Sequence, residues 1–543
     1  MYTTDLFESR FQIRLHYAID VCRDACRAVV LSPARAAAVL VLAGAAVRLQ
    51  LYLAESSLWF DELMISLNII HRPISALKPP LDFHQGAPFG FLALERAAVV
   101  AFGTGEYALR LVPLISGIAA LVGLYGLLQR TMPAGAMLLG LALFALSTIQ
   151  VGYAAEVKPY SIDTAITAFL LLQAVDAATA PTRRSLLLLA ISGAAAVWFS
   201  YPAVFVLAGA GTCLAAFAVM EEQWTRVGQL ALVGLTWAVS FGVCYLVSIR
   251  AINQDQYVFG MWTTAFVPWI GPYWTAGWVL DRLFGLFSNP VGITLTGLGA
   301  FAFVAGWLAR LDESWRLTRW ILISPLLVVL AAAALHRYPF EGRFLNFLVP
   351  PILAVVGLGM YQVVMATRRT APLVGLALVL LLFFHPLWIG TYAVLRPQPN
   401  VREDIRPVLE YVREKKHADD ALYLYWRAEP AFAYYSERWH DARLDSGVIP
   451  KRHWTSADLD DLEMASWEQR SREFLRDLET LRGHPRVWLV FQHVAHGDGW
   501  DEEHWFKVHL NQLGTELDHI SMTGAAAYLY DLSASSAHTL TTE

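Results

Sequence analysis

The feature that most constrains this chain is a succession of apolar segments that stops abruptly near residue 395. Eleven runs, at 33–53, 107–128, 134–153, 160–178, 185–199, 202–220, 227–249, 291–309, 319–335, 344–364 and 371–394, approach the length that a helix needs to cross a bilayer. That length is about 20 residues, and only 185–199 is notably short. Charge breaks at the same place. Residues 1–395 carry 24 Lys and Arg against 20 Asp and Glu, whereas 396–543 carry 17 against 26. Charged residues make up 16% of the whole chain, below the roughly one quarter usual for soluble domains, so a water-soluble multidomain globule is excluded. The net charge of −5 gives no reason to expect nucleic acid as a partner. The expected fold is a polytopic α-helical membrane protein of about eleven transmembrane helices with a small soluble α/β domain at its C-terminus.

Three parts follow. Residues 1–32 read as a charged, amphipathic lead lying on the inner membrane surface. Residues 33–395 form the transmembrane domain, with long outer segments at 54–106 and 250–290. Residues 396–543 form the soluble domain. An odd number of spans puts the termini on opposite sides, and every short loop on the N-terminal side carries arginine, as at Arg130, Arg183, Arg226, Arg310 and Arg368. The soluble domain is then expected outside. The cations left there, Arg72, Lys78, Arg96, Arg110, Lys158, Arg250, Arg337 and Arg343, are candidates for binding an anion. None of the four cysteines lies beyond Cys244, so the soluble domain has no disulfide.

The outer segments carry the chemistry. S-L-W-F-D-E-L-M-I-S from Ser57 sets Asp61 beside Glu62 at the start of a short interfacial helix, where a helix dipole favours carboxylates. Acids beside a bilayer are costly unless solvated, paired or used. His84 precedes a Gly-Ala-Pro turn, and a second interfacial helix is expected after Pro88. Y-A-A-E-V-K-P-Y places Glu156 and Lys158 in a short loop. H-R-Y-P-F-E-G-R-F packs Arg337, Glu341 and Arg343 between two spans. Trp262, Trp269, Tyr273, Trp274 and Tyr257 suit an aromatic interfacial belt, or else the wall of a site.

The order W-F-D-E, a His/Pro loop, G-x-E-Y-A-L-R-L, E-x-K-P-Y and R-Y-P-x-E-x-R-F resembles the GT-C membrane glycosyltransferases over roughly residues 33–364. The branch that it is similar to is the one shared by protein O-mannosyltransferases and the lipid A aminoarabinose transferase. One departure is clear: many members have His-Pro-Pro where this chain has His84-Gln85-Gly86-Ala87-Pro88. The resemblance implies a sugar donor carried on a polyprenyl phosphate, a lipid, polysaccharide or protein acceptor, and a site on the periplasmic face of a bacterial inner membrane. It implies a catalytic acid at Asp61 with Glu62 beside it, and substrate binding by His84, Glu156, Lys158, Arg337 and Arg343. Some relatives use a divalent metal, for which Asp61, Glu156 and His84 are the candidate ligands. The competing classes are a membrane transporter or lipid flippase, and a non-catalytic membrane scaffold.

In the C-terminal part, strands are expected at 421–426, 486–491 and 526–531. Helices are expected at 402–416, 429–438, 466–482 and 502–513. Their alternation suggests a largely parallel sheet. His493, His496, Asp498 and His504 form a second, weaker metal-like cluster, more simply read as a polar loop.

Overall fold

The computed structural model describes the chain apart from residues 1–31, 79, 253–259, 261, 312, 396–401, 450–464, 495, 498–499 and 534–543. The amphipathic lead, Tyr257 and Asp498 therefore lie outside the described residues. All eleven apolar runs emerge as helices. They are α1 (Pro33–Leu53), α4 (Glu106–Thr131), α5 (Ala134–Leu146) with its continuation α6 (Thr148–Tyr153), α7 (Tyr160–Thr179), α8 (Arg183–Phe199), α9 (Ala203–Met220), α10 (Trp224–Cys244), α12 (Thr296–Trp307), α13 (Glu313–Ala334), α14 (Val349–Thr367) and α15 (Pro372–Leu395). Among the described residues, seven helices are long and apolar enough to cross a membrane, and the chain is a multi-pass membrane protein. The shorter ones include α5 and α12.

The break between α5 and α6 is held by a buried cation. Arg48 of α1, with no exposed surface, donates to the carbonyls of Phe144 and Ala145, both at 3.3 Å, and its guanidinium lies over the Phe144 ring. These carbonyls belong to the last turn of α5, which has no helical donors of its own for them. The arginine supplies donors where water cannot.

The two outer segments hold more helix than loop. Both interfacial helices expected in 54–106 are present, as α2 (Phe60–His71) and α3 (Phe89–Phe102). The 250–290 segment contains α11 (Pro272–Ser288). Trp269, Tyr273 and Trp274 there are largely exposed, as an interfacial belt requires, while Trp262 turns inward to the site.

After the last span come α16 (Ile405–Lys415), α17 (Glu429–Trp439), α18 (Trp467–Leu481) and α19 (Glu502–Leu513), packed with strands β1 (Ala421–Leu424), β2 (Val487–Gln492), β3 (Thr515–Met522) and β4 (Ala525–Asp531). The sheet order is β1-β2-β4-β3. Only β1 and β2 pair in parallel, and the other two pairings are antiparallel, which corrects the largely parallel sheet expected from the sequence. The reason is β3. Its residues alternate between exposed and half-buried and give a weak apolar signal, yet it returns directly into β4 through a tight turn at Thr523–Gly524. Gly524 sits at φ +66°, and a Cβ there would lie 2.8 Å from Glu403 Cγ, so both backbone and space require glycine.

This layer shares a core with the outer helices. Ile405, Val408 and Phe432 pack in one buried cluster with Leu63, Leu67 and Phe91. Polar clamps reinforce the contact. Glu106, almost wholly buried, receives Arg406 at 3.2 Å and Arg438. Glu403 accepts from the Phe60 backbone N–H at 3.0 Å and from Gln492 at 2.9 Å, and it also meets His493. Removing one partner of a buried ion pair strands the other charges and typically costs about 3–5 kcal/mol. Glu106→Ala should therefore lower the thermal midpoint of the purified protein in detergent by several degrees. A midpoint within a degree of wild type would show that the clamp is not what holds the two layers.

Candidate functional site

The site is built from three segments that meet at one end of the helix bundle. The first is the start of α2. Glu62 reaches back to the Trp59 backbone N–H at 3.3 Å and caps the helix that carries Asp61. The second is the loop 154–159, and the third is the loop 336–343. Asp61, Lys158, Arg337 and Arg343 all line one cavity of about 1010 Å³.

Adjacent in sequence, Asp61 and Glu62 do different things. A helix turns about 100° per residue, so neighbouring side chains diverge. Glu62 is 1% exposed and is not among the cavity-lining residues. It forms a bidentate pair with Arg110, Nε to Oε1 at 3.0 Å and Nη2 to Oε2 at 2.7 Å. Its Oε1 also accepts from the Val157 backbone N–H at 2.8 Å. Arg110 further donates to the carbonyls of Ser56 and Ser57 at 2.7 and 3.1 Å. Glu62 thus ties α2, α4 and the 154–159 loop together and does not itself line the cavity that Asp61 faces; of the two roles open to it from the sequence, orienting or sharing the site, its contacts fit the first. Arg110 is correspondingly a structural cation, not one free to bind an anion. Arg72 and Arg96 are also spent locally, on Asp82 and on the carbonyls of Ile69 and Ile70.

Asp61 faces the cavity between two cations. Lys158 Nζ lies 2.9 Å from Oδ1, and Arg343 Nη1 lies 2.9 Å from Oδ2. Burial pushes the Asp61 carboxyl up, but the charges of Lys158 and Arg343 outweigh it and hold it down at about 2. Gln85 completes the arrangement. Its Oε1 accepts from Lys158 at 2.8 Å, and its Nε2 approaches Asp61 Oδ1 at 3.5 Å. The departure from His-Pro-Pro therefore places a polar amide against the lysine. His84 lines the same cavity. Arg343 is steadied by the Trp262 and Phe344 rings, 5.5 and 5.9 Å from its guanidinium carbon. Arg337 lines the cavity, and no carboxylate pairs with it among the described residues.

Glu156 stands behind the cavity and does not line it. It is 6% exposed, its Oε1 has no hydrogen-bond partner, and its Oε2 is 3.7 Å from Arg402. Burial, partly opposed by Arg402 and assisted by Glu62, pushes its carboxyl up to about 7.

The expected metal set does not converge. Both Asp61 oxygens are engaged by cations, and no group of three or more His, Cys, Asp or Glu placed to hold a metal forms among the described residues. The His493 cluster is likewise no metal site among those residues: His493 contacts Glu403 and stacks on Phe60 at 4.7 Å. It forms part of the cavity wall with Trp426 and Arg427, so the C-terminal layer contributes directly to the site. Trp426 and Arg427, with Gln85 and Asp163, were not singled out from the sequence, and His493 was singled out only as part of a metal-like cluster. Asp163 sits inside the apolar run 160–178, where only its charge against that background could have marked it.

No family model and no curated protein sequence matches the chain. Among solved structures, the fold is similar to that of ArnT from Cupriavidus metallidurans bound to undecaprenyl phosphate, at 12% identity and TM-score 0.50, covering 93% of this chain and 99% of that one. A weaker likeness, TM-score 0.46 at 12% identity, links 91% of this chain to 73% of the Archaeoglobus fulgidus oligosaccharyltransferase in complex with Zn and sulfate. The chain shares the overall fold of that ArnT structure.

Two outcomes follow from this geometry. Glu62→Gln breaks a buried pair and should destabilise the fold by about 3–5 kcal/mol, read as a fall in thermal midpoint. Burial raises the Glu156 pKa from 4.5 to about 7, so as pH rises the unfolded chain gives up this proton first. Stability from this group is therefore lost between about pH 4.5 and 7 and stays lower above, by about 3 kcal/mol. Glu156→Gln should equal wild type near pH 4 and exceed it at pH 8. Parallel midpoint–pH curves for the two proteins would refute the assignment.

Proposed function

We propose that the chain is an integral membrane glycosyltransferase. It moves a sugar, hexose or pentose, from a polyprenyl-phosphate donor to a lipid, polysaccharide or protein acceptor on the periplasmic side of a bacterial inner membrane. The carrying observation is the composition of one cavity. It holds a carboxylate clamped by Lys158 and Arg343, together with an arginine, Arg337, that pairs with no acid among the described residues. The same cavity is also lined by Phe241, Tyr245 and Ile249. These come from α10 and the turn after it, where Val239, Val243 and Leu246 are exposed as a lipid-facing surface would be. An anionic head on a hydrocarbon tail fits both groups of residues. The structure sharing this fold was crystallised with undecaprenyl phosphate, a ligand of the same kind.

The chemistry follows from the charges. The acceptor hydroxyl oxygen attacks the anomeric carbon and gives its proton to Asp61. The bond from that carbon to the phosphate oxygen breaks, its electron pair stays with the phosphate, and the anomeric centre inverts. Lys158, Arg337 and Arg343 stabilise the charge that develops on the phosphate. At rest, Asp61 is a weak base, because two cations hold its proton affinity down. An arriving phosphate competes for the same cations. As they turn to it, the carboxylate regains proton affinity, so donor binding readies the base. No step is routed through a metal, because the candidate ligands do not converge.

The test uses purified protein with a panel of polyprenyl-phosphate sugars and follows release of polyprenyl phosphate. One donor should be consumed. Asp61→Asn should cut turnover by about 10²–10⁴-fold while the protein still binds lipid phosphate. Arg337→Ala should weaken donor binding more at low salt than at high salt. An Asp61→Asn protein that turns over normally would sink the reading.

A further inference from the structure

The same cavity is lined by an acid that the proposed reaction does not use. Asp163 lies in the first turn of α7, where its backbone N–H bonds to the Pro159 carbonyl at 2.9 Å. It lines the cavity and is 6% exposed. Its Oδ1 has no hydrogen bond of good geometry, and the Ser200 hydroxyl that interacts with its carboxyl group is wholly buried. No ion pair involves Asp163 among the described residues. A carboxyl group at this depth, inside an apolar helix, is expensive to bury without partners. Structural acids in this protein show what a satisfied one looks like: Glu62 makes four hydrogen bonds.

The surroundings suit a polyol. Tyr201, Phe205 and Tyr338 line the cavity with Asp163, and the Phe205 and Tyr338 rings meet edge to face at 4.8 Å. Tyr201 is held by its hydroxyl, which donates to the Ala87 carbonyl at 2.8 Å and lies 2.7 Å from Ser248 Oγ. Rigid aromatic faces with a few fixed polar atoms are what orient a small polar ring in a pocket. The cations that would hold the phosphate, Lys158 and Arg343, line the same cavity, and Lys158 precedes Pro159 directly.

We propose that Asp163 selects the donor's sugar by accepting hydrogen bonds from its ring hydroxyls. The proposal rests on the glycosyltransferase reading and adds a residue that touches the sugar, not the reacting bond. A carboxyl group can accept from a hydroxyl in either protonation state. Ser200 is placed to add a second hydrogen bond beside it.

The experiment uses the full chain in detergent with undecaprenyl-phosphate-linked glucose, galactose, mannose and arabinose. The donor that wild type consumes is then compared with its monodeoxy analogues. Wild type should lose about tenfold to a hundredfold in kcat/KM on the analogue that lacks the recognised hydroxyl. Asp163→Ala should lose a similar factor on the parent sugar and show no further loss on that analogue. Asp163→Asn, which keeps an acceptor, should retain part of the discrimination. Inhibition by bare undecaprenyl phosphate reports the phosphate site and the fold, and should be unchanged in both variants. The proposal is overturned if Asp163→Ala discriminates the analogues as wild type does. It is equally overturned if both variants lose affinity for the bare lipid phosphate, since Asp163 is then structural. If wild type consumes none of the donors, the glycosyltransferase reading itself fails and this inference falls with it.

Discussion

The buried pair between Glu62 and Arg110 is the constraint on which the rest depends. It joins the start of one interfacial helix to a membrane helix, and the same carboxylate holds the backbone at Val157. Lys158 is the next residue, so its approach to Asp61 follows from that hydrogen bond. Two charges removed from water would ordinarily cost more than their attraction returns. Here each lone pair and donor is used, and the cost is offset by fixing three segments at once. Catalytic geometry needs this kind of support, because an ångström of slack at a reacting centre is expensive.

The electrostatics of the cavity follow from how its charges are distributed. Asp61 is neutralised from both sides, no carboxylate pairs with Arg337 among the described residues, and Arg427 lines the same cavity from the C-terminal layer. Arg427 rests on the Trp426 ring at 4.5 Å and donates to the His493 carbonyl at 3.1 Å, which fixes its position. On the proposed reading, an entering anion would compete with the Asp61 carboxylate for Lys158 and Arg343. Glu156, whose carboxyl burial pushes up to about 7, places less negative charge behind this layer than an ordinary carboxylate would.

Much of this was readable in the amino-acid sequence because it depends on local chemistry. Each apolar run became a helix, and both interfacial helices began where proline or paired acids mark a start. The segments holding Asp61, Lys158 and Arg343 do meet, as the ordered motifs implied. What could not be read depends on direction or on distant partners. Nothing local says which of two adjacent acids faces the cavity, since Arg110 lies far along the chain from Glu62. The edge strand Thr515–Met522 escaped because half of its surface is polar. Asp163 escaped because one of two isolated acids in an apolar run looks like tolerated noise until the cavity around it is seen. The surroundings of the candidate metal ligands could not be read for a related reason: acid and histidine content cannot reveal that Lys158 and Arg343 already occupy Asp61.

Glu403 reaches from the C-terminal layer to the Phe60 backbone, one residue before Asp61. Shortening the protein at the last membrane helix would therefore do more than discard an accessory. It would uncover the greasy underside shared by Leu63, Leu67 and Phe91, invite clumping, and leave the reactive helix without its lateral brace. Efforts to produce a minimal membrane fragment of this protein should expect an unstable, sticky product, and would do better to keep the chain whole.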